Sequence, residues 1–172
     1  SKKSDPIFLC NPNNPTGIFS YQLIEGLIER IDDSIKILID ESFIEFVDEN
    51  KHARTFIVKI NEFKNIVILR SMTKSFGLAG LRLGYCVSHP SIARKISHNK
   101  ITWNVNGLAQ LAGVTALENL SHLRRARKII KSEREYMYIK INNKLSSFSA
   151  NESDVNYYLI QLHHGNSTQI RK

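Results

Sequence analysis

Short apolar runs that stop abruptly at polar residues recur along the first half of the chain. Residues 6–10 form one, ending in the turn-rich string Asn11-Pro12-Asn13-Asn14-Pro15-Thr16-Gly17, the pattern of a strand that runs into a loop. Ser20 then precedes Leu23, Ile24, Leu27, Ile28 and Ile31, which share one face of a helix with Ser20 as its N-cap. Residues 35–39 are almost continuously apolar and branched, as in a strand buried on both faces, and they end at Asp40-Glu41. Residues 66–69 repeat the arrangement before Arg70-Ser71, and residues 83–87 make a further short strand. Strand, helix, strand and strand predict an α/β fold: a mostly parallel sheet flanked by helices.

Helical periodicity dominates downstream. Residues 90–97 and the Ala- and Gly-rich residues 104–120 read as helices. In residues 121–145, Leu123, Ala126, Ile130, Met137, Ile141 and Leu145 recur at helical spacing. Residues 146–153 form a polar linker and residues 155–162 a new strand. The organisation expected is a unit over residues 1–120, a long connecting helix and linker over 121–150, and the start of a small α+β domain over 151–172. No internal repeat or low-complexity tract interrupts it.

Charge refines the helix at 121–145. The chain of 172 residues carries a net +8, distributed as −3 over residues 1–60, +5 over 61–120 and +6 over 121–172. Eight Lys and Arg lie between Arg124 and Lys144, a solvated basic back for an amphipathic helix. A nucleic-acid or membrane-surface role is disfavoured, because no aromatic stripe interleaves those cations for base stacking. With 42% hydrophobic and 23% charged residues the composition is that of a globular protein. No apolar run approaches the roughly 20 residues of a membrane span, and no secretory signal is visible, so the cytoplasm is expected. Cys10 and Cys86, inside apolar segments, read as small buried hydrophobes.

Polar groups capable of chemistry collect at strand ends, where open α/β sheets bind ligands. Asn14 follows the first strand, Asp40 ends the second, and Ser71-Met72-Thr73-Lys74 follows the third. Taken singly, they read as turn former, helix cap and surface cation. Together they describe a ligand: Ser71, Thr73 and the Arg82 guanidinium suit a phosphate, and Gly77 and Gly80 let the backbone approach it closely. Lys74 beside that phosphate suits a Schiff base. A carboxylate at Asp40 holds a ring nitrogen protonated, a contact of about 4 kcal/mol at 4 Å and an effective dielectric of 20 before desolvation, against about 1 for a neutral hydrogen bond from Asn14. A pyridine ring bearing a phosphate and an aldehyde, pyridoxal phosphate, matches all of these groups.

The strings NPNNPTG, ILIDESFIEF and SMTKSFGLAGLRLGY resemble the three signatures of the fold-type I pyridoxal-phosphate enzymes, the aspartate aminotransferase superfamily. They are most similar to its histidinol-phosphate aminotransferase and threonine-phosphate decarboxylase branch, over nearly all of residues 6–162. The resemblance implies Lys74 as the lysine that binds the cofactor and carries the catalytic proton. It also implies Asp40 on the pyridine nitrogen, Asn14 on the phenolic oxygen, and Ser71 with Arg82 on the phosphate. A homodimer and a small phosphorylated amino-acid or amino-alcohol substrate are implied likewise. Two departures stand out. Phe43 occupies a position where aminotransferases of this branch usually carry Tyr, and the chain corresponds to roughly the middle half of such an enzyme, so it could be a catalytically silent fragment. Phe43, the string FIEF and Trp103-Asn104-Val105-Asn106 look more like the decarboxylases, so removal of the carboxylate of threonine phosphate is expected, with transamination of histidinol phosphate as the alternative.

Other chemistries fit less well. Ser71 and Lys74 also match the Ser-x-x-Lys of penicillin-recognising acylases, but neither Ser-Asp-Asn nor Lys-Thr-Gly accompanies them. Gly77 and Gly80 do not form a Walker loop. The six histidines, His163-His164 included, lack partners at zinc spacing and read as surface residues.

Overall fold

The computed structural model describes residues 5–52 and 54–170. Four strands, β1 (Ile7–Cys10), β2 (Ile37–Asp40), β3 (Ile66–Ser71) and β4 (Gly84–Ser88), form one sheet in the order β1-β2-β3-β4. The first three are parallel, and β4 runs antiparallel to β3. Among the described residues six α-helices accompany them: α1 (Tyr21–Ile28), α2 (Glu49–His52), α3 (Pro90–His98), α4 (Gly107–Glu118), α5 (Leu120–Lys144) and α6 (Ser167–Ile170).

Alternation along the strands divides the sheet into two unlike faces. Ile37 and Ile39 of β2 and Ile66 and Ile68 of β3 pack with Ile24 and Ile28 of α1 and with Phe56, all buried. The Tyr21 and Phe56 rings stack at 4.5 Å and close that layer. The opposite face is more open: Phe8 and Cys86 are exposed and Leu38 and Leu69 half-buried, while Val67 of β3 is buried there. Among the described residues β2 is therefore buried on one face and β3 on both at Val67, and Cys86 is an exposed thiol and Cys10 a half-buried one rather than core residues.

A second cluster lies past the carboxyl ends of the strands. Phe19, Ile44, Phe46, Val47 and Val155 are buried there, with Ile130 and Tyr157 against them. Helix α5 reaches this region through its charges. Arg127 Nη2 meets Glu45 Oε2 at 2.9 Å, Arg134 Nη2 meets Asp48 Oδ1 at 3.1 Å and Lys131 Nζ meets Asp48 Oδ2 at 3.3 Å. The spacing of these three cations puts them on one helix face, so part of the basic surface read as solvated is spent on docking. Of the apolar positions on α5, Leu123 and Ile141 are buried, whereas Met137 and the following Leu145 are exposed.

The polar stretch after α5 differs from the expected linker. Phe148–Ala150 forms β5, paired antiparallel with β6 (Ile160–Leu162), while residues 155–159 are loop. Asn142 explains β5: its side chain accepts from the Ala150 N–H and donates to the Ala150 carbonyl, so α5 itself holds the strand.

Candidate functional site

Asp40 is the last residue of β2, its Cα in register with Cys10 and Leu69. It lies on the open face of the sheet, and Glu41, one residue on, turns to the packed face. There Glu41 is fully buried, accepting from Arg70 Nε at 2.9 Å, Thr55 Oγ1 at 2.7 Å and the Phe56 N–H at 2.9 Å. Arg70 also donates to Glu45 Oε1 at 2.8 Å and to Thr55 Oγ1 at 2.9 Å. This network ties the end of β2 to the end of β3 directly behind Asp40 and Ser71. Glu41, Glu45, Thr55 and Arg70 as a connected group were not read from the sequence.

On the open side Asp40 Oδ1 accepts the Ser42 N–H at 2.8 Å, and Oδ2 has no hydrogen-bond partner among the described residues. Ser71 and Thr73 hydroxyls bond each other at 2.7 Å at the end of β3. Lys74 follows on a loop whose neighbours are anchored. Met72 and Ser75 are buried, Leu78 N–H donates to the Met72 carbonyl, and His122 Nε2 lies 3.2 Å from the Ser75 carbonyl. His122 thus fastens the lysine loop to α5, a role absent from its reading as a surface histidine. The Lys74 ammonium is exposed and lies over the Phe43 ring, 5.6 Å from Nζ to the centroid. Phe43 meets the Tyr157 ring edge-on at 5.0 Å.

Tyr157 completes the surface and was missed, having been read as one more residue of a strand. Its hydroxyl donates to the Asn13 carbonyl at 3.0 Å. Burial, followed by the charges of Cys10 and Asp40, pushes its phenol up to about 12. Burial likewise raises the Cys10 thiol, the Asn14 N–H opposing it and the Asp40 charge adding to it. Lys74, Phe43, Tyr157, Asp40, Cys10 and the loop of Asn14 are therefore neighbours around one open surface. Asn14 is exposed, and its side-chain amide has no partner among the described residues.

Arg82 is placed by strand pairing: Gly84 is the Cα partner of Ser71, and Leu83 accepts from the Met72 N–H, which brings residue 82 to the end of β3. Its backbone is left-handed at φ 52°, and its exposed guanidinium reaches the Ala79 carbonyl at 3.5 Å rather than the Ser71 hydroxyl. Asn14, Asp40 and Lys74 are brought together around Tyr157 and Phe43, whereas the phosphate-side groups Ser71 and Arg82 are adjacent in the fold without touching.

The arrangement fits pyridoxal phosphate. Among the described residues it offers a carboxylate oxygen, an amide and an amine without hydrogen-bond partners, and a hydroxyl pair with a guanidinium near it, all beyond the carboxyl ends of parallel strands. A concavity of about 840 Å³ lies elsewhere, between Asp48 and α5, and is lined in part by Arg127 and Lys131, already paired. No cluster of His, Cys, Asp and Glu among the described residues could hold a metal ion.

Known proteins share this sequence pattern and fold. The histidinol-phosphate aminotransferase of Thermoanaerobacter pseudethanolicus is 36% identical over 163 residues, covering 90% of this chain and 42% of that protein. The chain spans only 34% to 42% of the length of this relative and three other histidinol-phosphate aminotransferases that it matches. The solved histidinol-phosphate aminotransferase from Clostridium acetobutylicum superposes with a TM-score of 0.86 at 28% identity, over 96% of this chain and 50% of that one. A decarboxylase from Sulfurospirillum multivorans gives 0.79 at 26%, over 96% and 48%. The L-threonine-O-3-phosphate decarboxylase from Porphyromonas gingivalis shares the fold, with a TM-score of 0.84 at 24% identity, over 98% and 51%. The family model "Aminotransferase class I and II" matches residues 1–171, so the chain belongs to that family of pyridoxal-phosphate enzymes.

Proposed function

We propose that the whole protein uses this site to remove the carboxylate of a phosphorylated amino acid of the threonine-phosphate kind. The observation that carries the reading is Phe43, an apolar wall between Lys74 and Tyr157 that brings no hydroxyl to the reacting side. Lys74, exposed and against that ring, is then the amine that carries a proton there. A decarboxylation asks for one proton, delivered to the carbon that has lost its carboxylate. The decarboxylase of Sulfurospirillum multivorans, of the same fold at 26% identity, supports this reading.

Pyridoxal phosphate, when bound, supplies an electron sink for the pair left behind as the bond at the amine-bearing carbon breaks. Asp40 would hold its ring nitrogen, Asn14 its phenolic oxygen, and Ser71, Thr73 and Arg82 its phosphate. Lys74 would bind its aldehyde carbon and carry the proton. We read residues 1–120 as part of the large cofactor domain and residues 151–172 as the start of a small one, the protein acting as a dimer of identical chains in the cytoplasm. No helix among the described residues is long and apolar enough to cross a membrane.

Transamination of histidinol phosphate is the second reading, favoured by the name of the curated relatives at 32% to 36% identity. Incubating the whole protein with each substrate separates the two. Carbon dioxide released from threonine phosphate without any 2-oxo acid supports decarboxylation. Consumption of histidinol phosphate only when 2-oxoglutarate is present overturns it.

A further inference from the structure

Residues 153–157 touch the loop between β1 and α1 at three points. The Asp154 N–H donates to the Gly17 carbonyl at 2.9 Å, the Phe19 N–H donates to Asp154 Oδ2 at 2.9 Å, and the Tyr157 hydroxyl donates to the Asn13 carbonyl at 3.0 Å. These bonds bracket Asn14, one immediately before it and two after. They join positions 135 and 144 residues apart, so no local propensity of the loop accounts for them.

Each end of the contact is braced. Asp154 receives Lys51 Nζ at 2.6 Å on its carboxylate and Arg134 Nη1 at 2.6 Å on its carbonyl. Tyr157 is held edge-on by Phe43, itself in contact with Lys74. On the loop side the Gly17 N–H also donates to the Asn13 carbonyl, at 2.7 Å, and the Thr16 hydroxyl to Asn13 Oδ1 at 2.9 Å. The Asn14 amide has no bond of its own among the described residues, so its position is inherited from this backbone.

We infer that Tyr157 and Asp154 are positioning residues for Asn14: they strap the loop so that the Asn14 amide faces the ligand. The inference rests on the cofactor reading above and adds to it a second segment, distant in sequence, on which the cofactor's grip depends. Tyr157→Phe is a clean probe because it removes one oxygen and keeps the ring against Phe43. Losing one hydrogen bond to a well-placed group weakens binding by roughly three- to tenfold. If Tyr157 acts only through Asn14, that loss vanishes once the amide is gone, which is the signature a double-mutant cycle reads.

The test titrates the cofactor-free whole protein with pyridoxal phosphate, following the visible absorbance of the Lys74-bound form, in four versions: wild type, Asn14→Ala, Tyr157→Phe and the double variant. Both single variants are expected to weaken binding roughly three- to tenfold. The double variant is expected to bind no worse than Asn14→Ala alone. The pH at which the absorbance band changes should move in the same direction in both single variants. Asp154→Ala should weaken binding in wild type and not in Asn14→Ala. Losses that multiply in the double variant overturn the strap, as does a Tyr157→Phe protein that melts earlier yet binds and absorbs like wild type. A wild-type protein that borohydride does not label at Lys74 overturns the cofactor reading, and the strap with it. That outcome is distinct because in the other two the wild type binds normally.

Discussion

Arg70→Met removes the centre of the network behind the site while keeping a side chain of similar reach. Arg70 is 6% exposed and gives three hydrogen bonds of 2.8 to 2.9 Å, to Glu41, Glu45 and Thr55. Glu45 retains Arg127 at 2.9 Å. Glu41, with a side chain 0% exposed, retains only the Thr55 hydroxyl and the Phe56 N–H and has no other cation among the described residues. The cost therefore falls on Glu41, and stranding one partner of a buried pair costs about 3–5 kcal/mol. Lys59 provides the contrast. It pairs with Glu25 and Glu62 at the surface, where such bridges contribute about 0–1 kcal/mol, so Lys59→Ala should do little. Urea unfolding of the whole protein, followed by circular dichroism, checks both. At a slope near 2 kcal/mol per molar, Arg70→Met should lower the midpoint by roughly 2 M. Adding Glu41→Gln should recover more than half of the loss, because the stranded charge is then gone. A shift for Arg70→Met no larger than that of Lys59→Ala, or a double variant as damaged as the two single losses added, would refute the argument.

Three further outcomes follow from the same geometry. Asp40→Asn should slow turnover of the whole protein far more than Asn14→Ala, since a charged contact outweighs a neutral one at the ligand ring; equal losses of kcat in steady-state assays would reverse that ranking. Gly17→Ala should destabilise by about 1–3 kcal/mol in thermal melts, because φ is +76° and the new Cβ would sit 2.1 Å from Ser153 Oγ; an unchanged melting temperature would show that the loop yields. The Tyr157 phenol, raised from the usual tyrosine value near 10 to about 12, binds its proton more tightly folded than unfolded. Its contribution to stability is complete below pH 10 and is lost as pH climbs toward 12. Ultraviolet titration should show a tyrosinate forming near that value in wild type and missing from Tyr157→Phe.

The placement of the candidate residues was legible where it coincides with the end of a strand. Asp40, Lys74 and the Asn14 loop each follow an apolar run, so one-dimensional pattern places them in three dimensions through the parallel sheet. Tyr157 is invisible by that route because what makes it matter is a bond to Asn13, 144 residues away. Arg127, Lys131 and Arg134 sit in a stretch so rich in cations that composition reads it as solvated. Their spacing, matched against Glu45 and Asp48, held the missing information. The three-residue strand at Phe148 was hidden for another reason: its stability comes from Asn142 on the helix before it, not from its own residues.

Two carboxylates side by side at the end of β2 also guard the alignment of that strand. Adjacent strand residues face opposite ways, so Asp40 looks toward the open face while Glu41 looks into the layer behind. Sliding β2 by one position would exchange them. The Asp40 side chain, shorter by a methylene, would then be offered to Arg70 and Thr55, and the longer Glu41 would be left in the open without them. The same slip would turn Ile37 and Ile39 out of the core. Apolar packing and ionic pairing thus reject the same error independently. A sheet end that gathers an acid, a lysine and an amide on one open surface is in this way proofread by side chains on its other face.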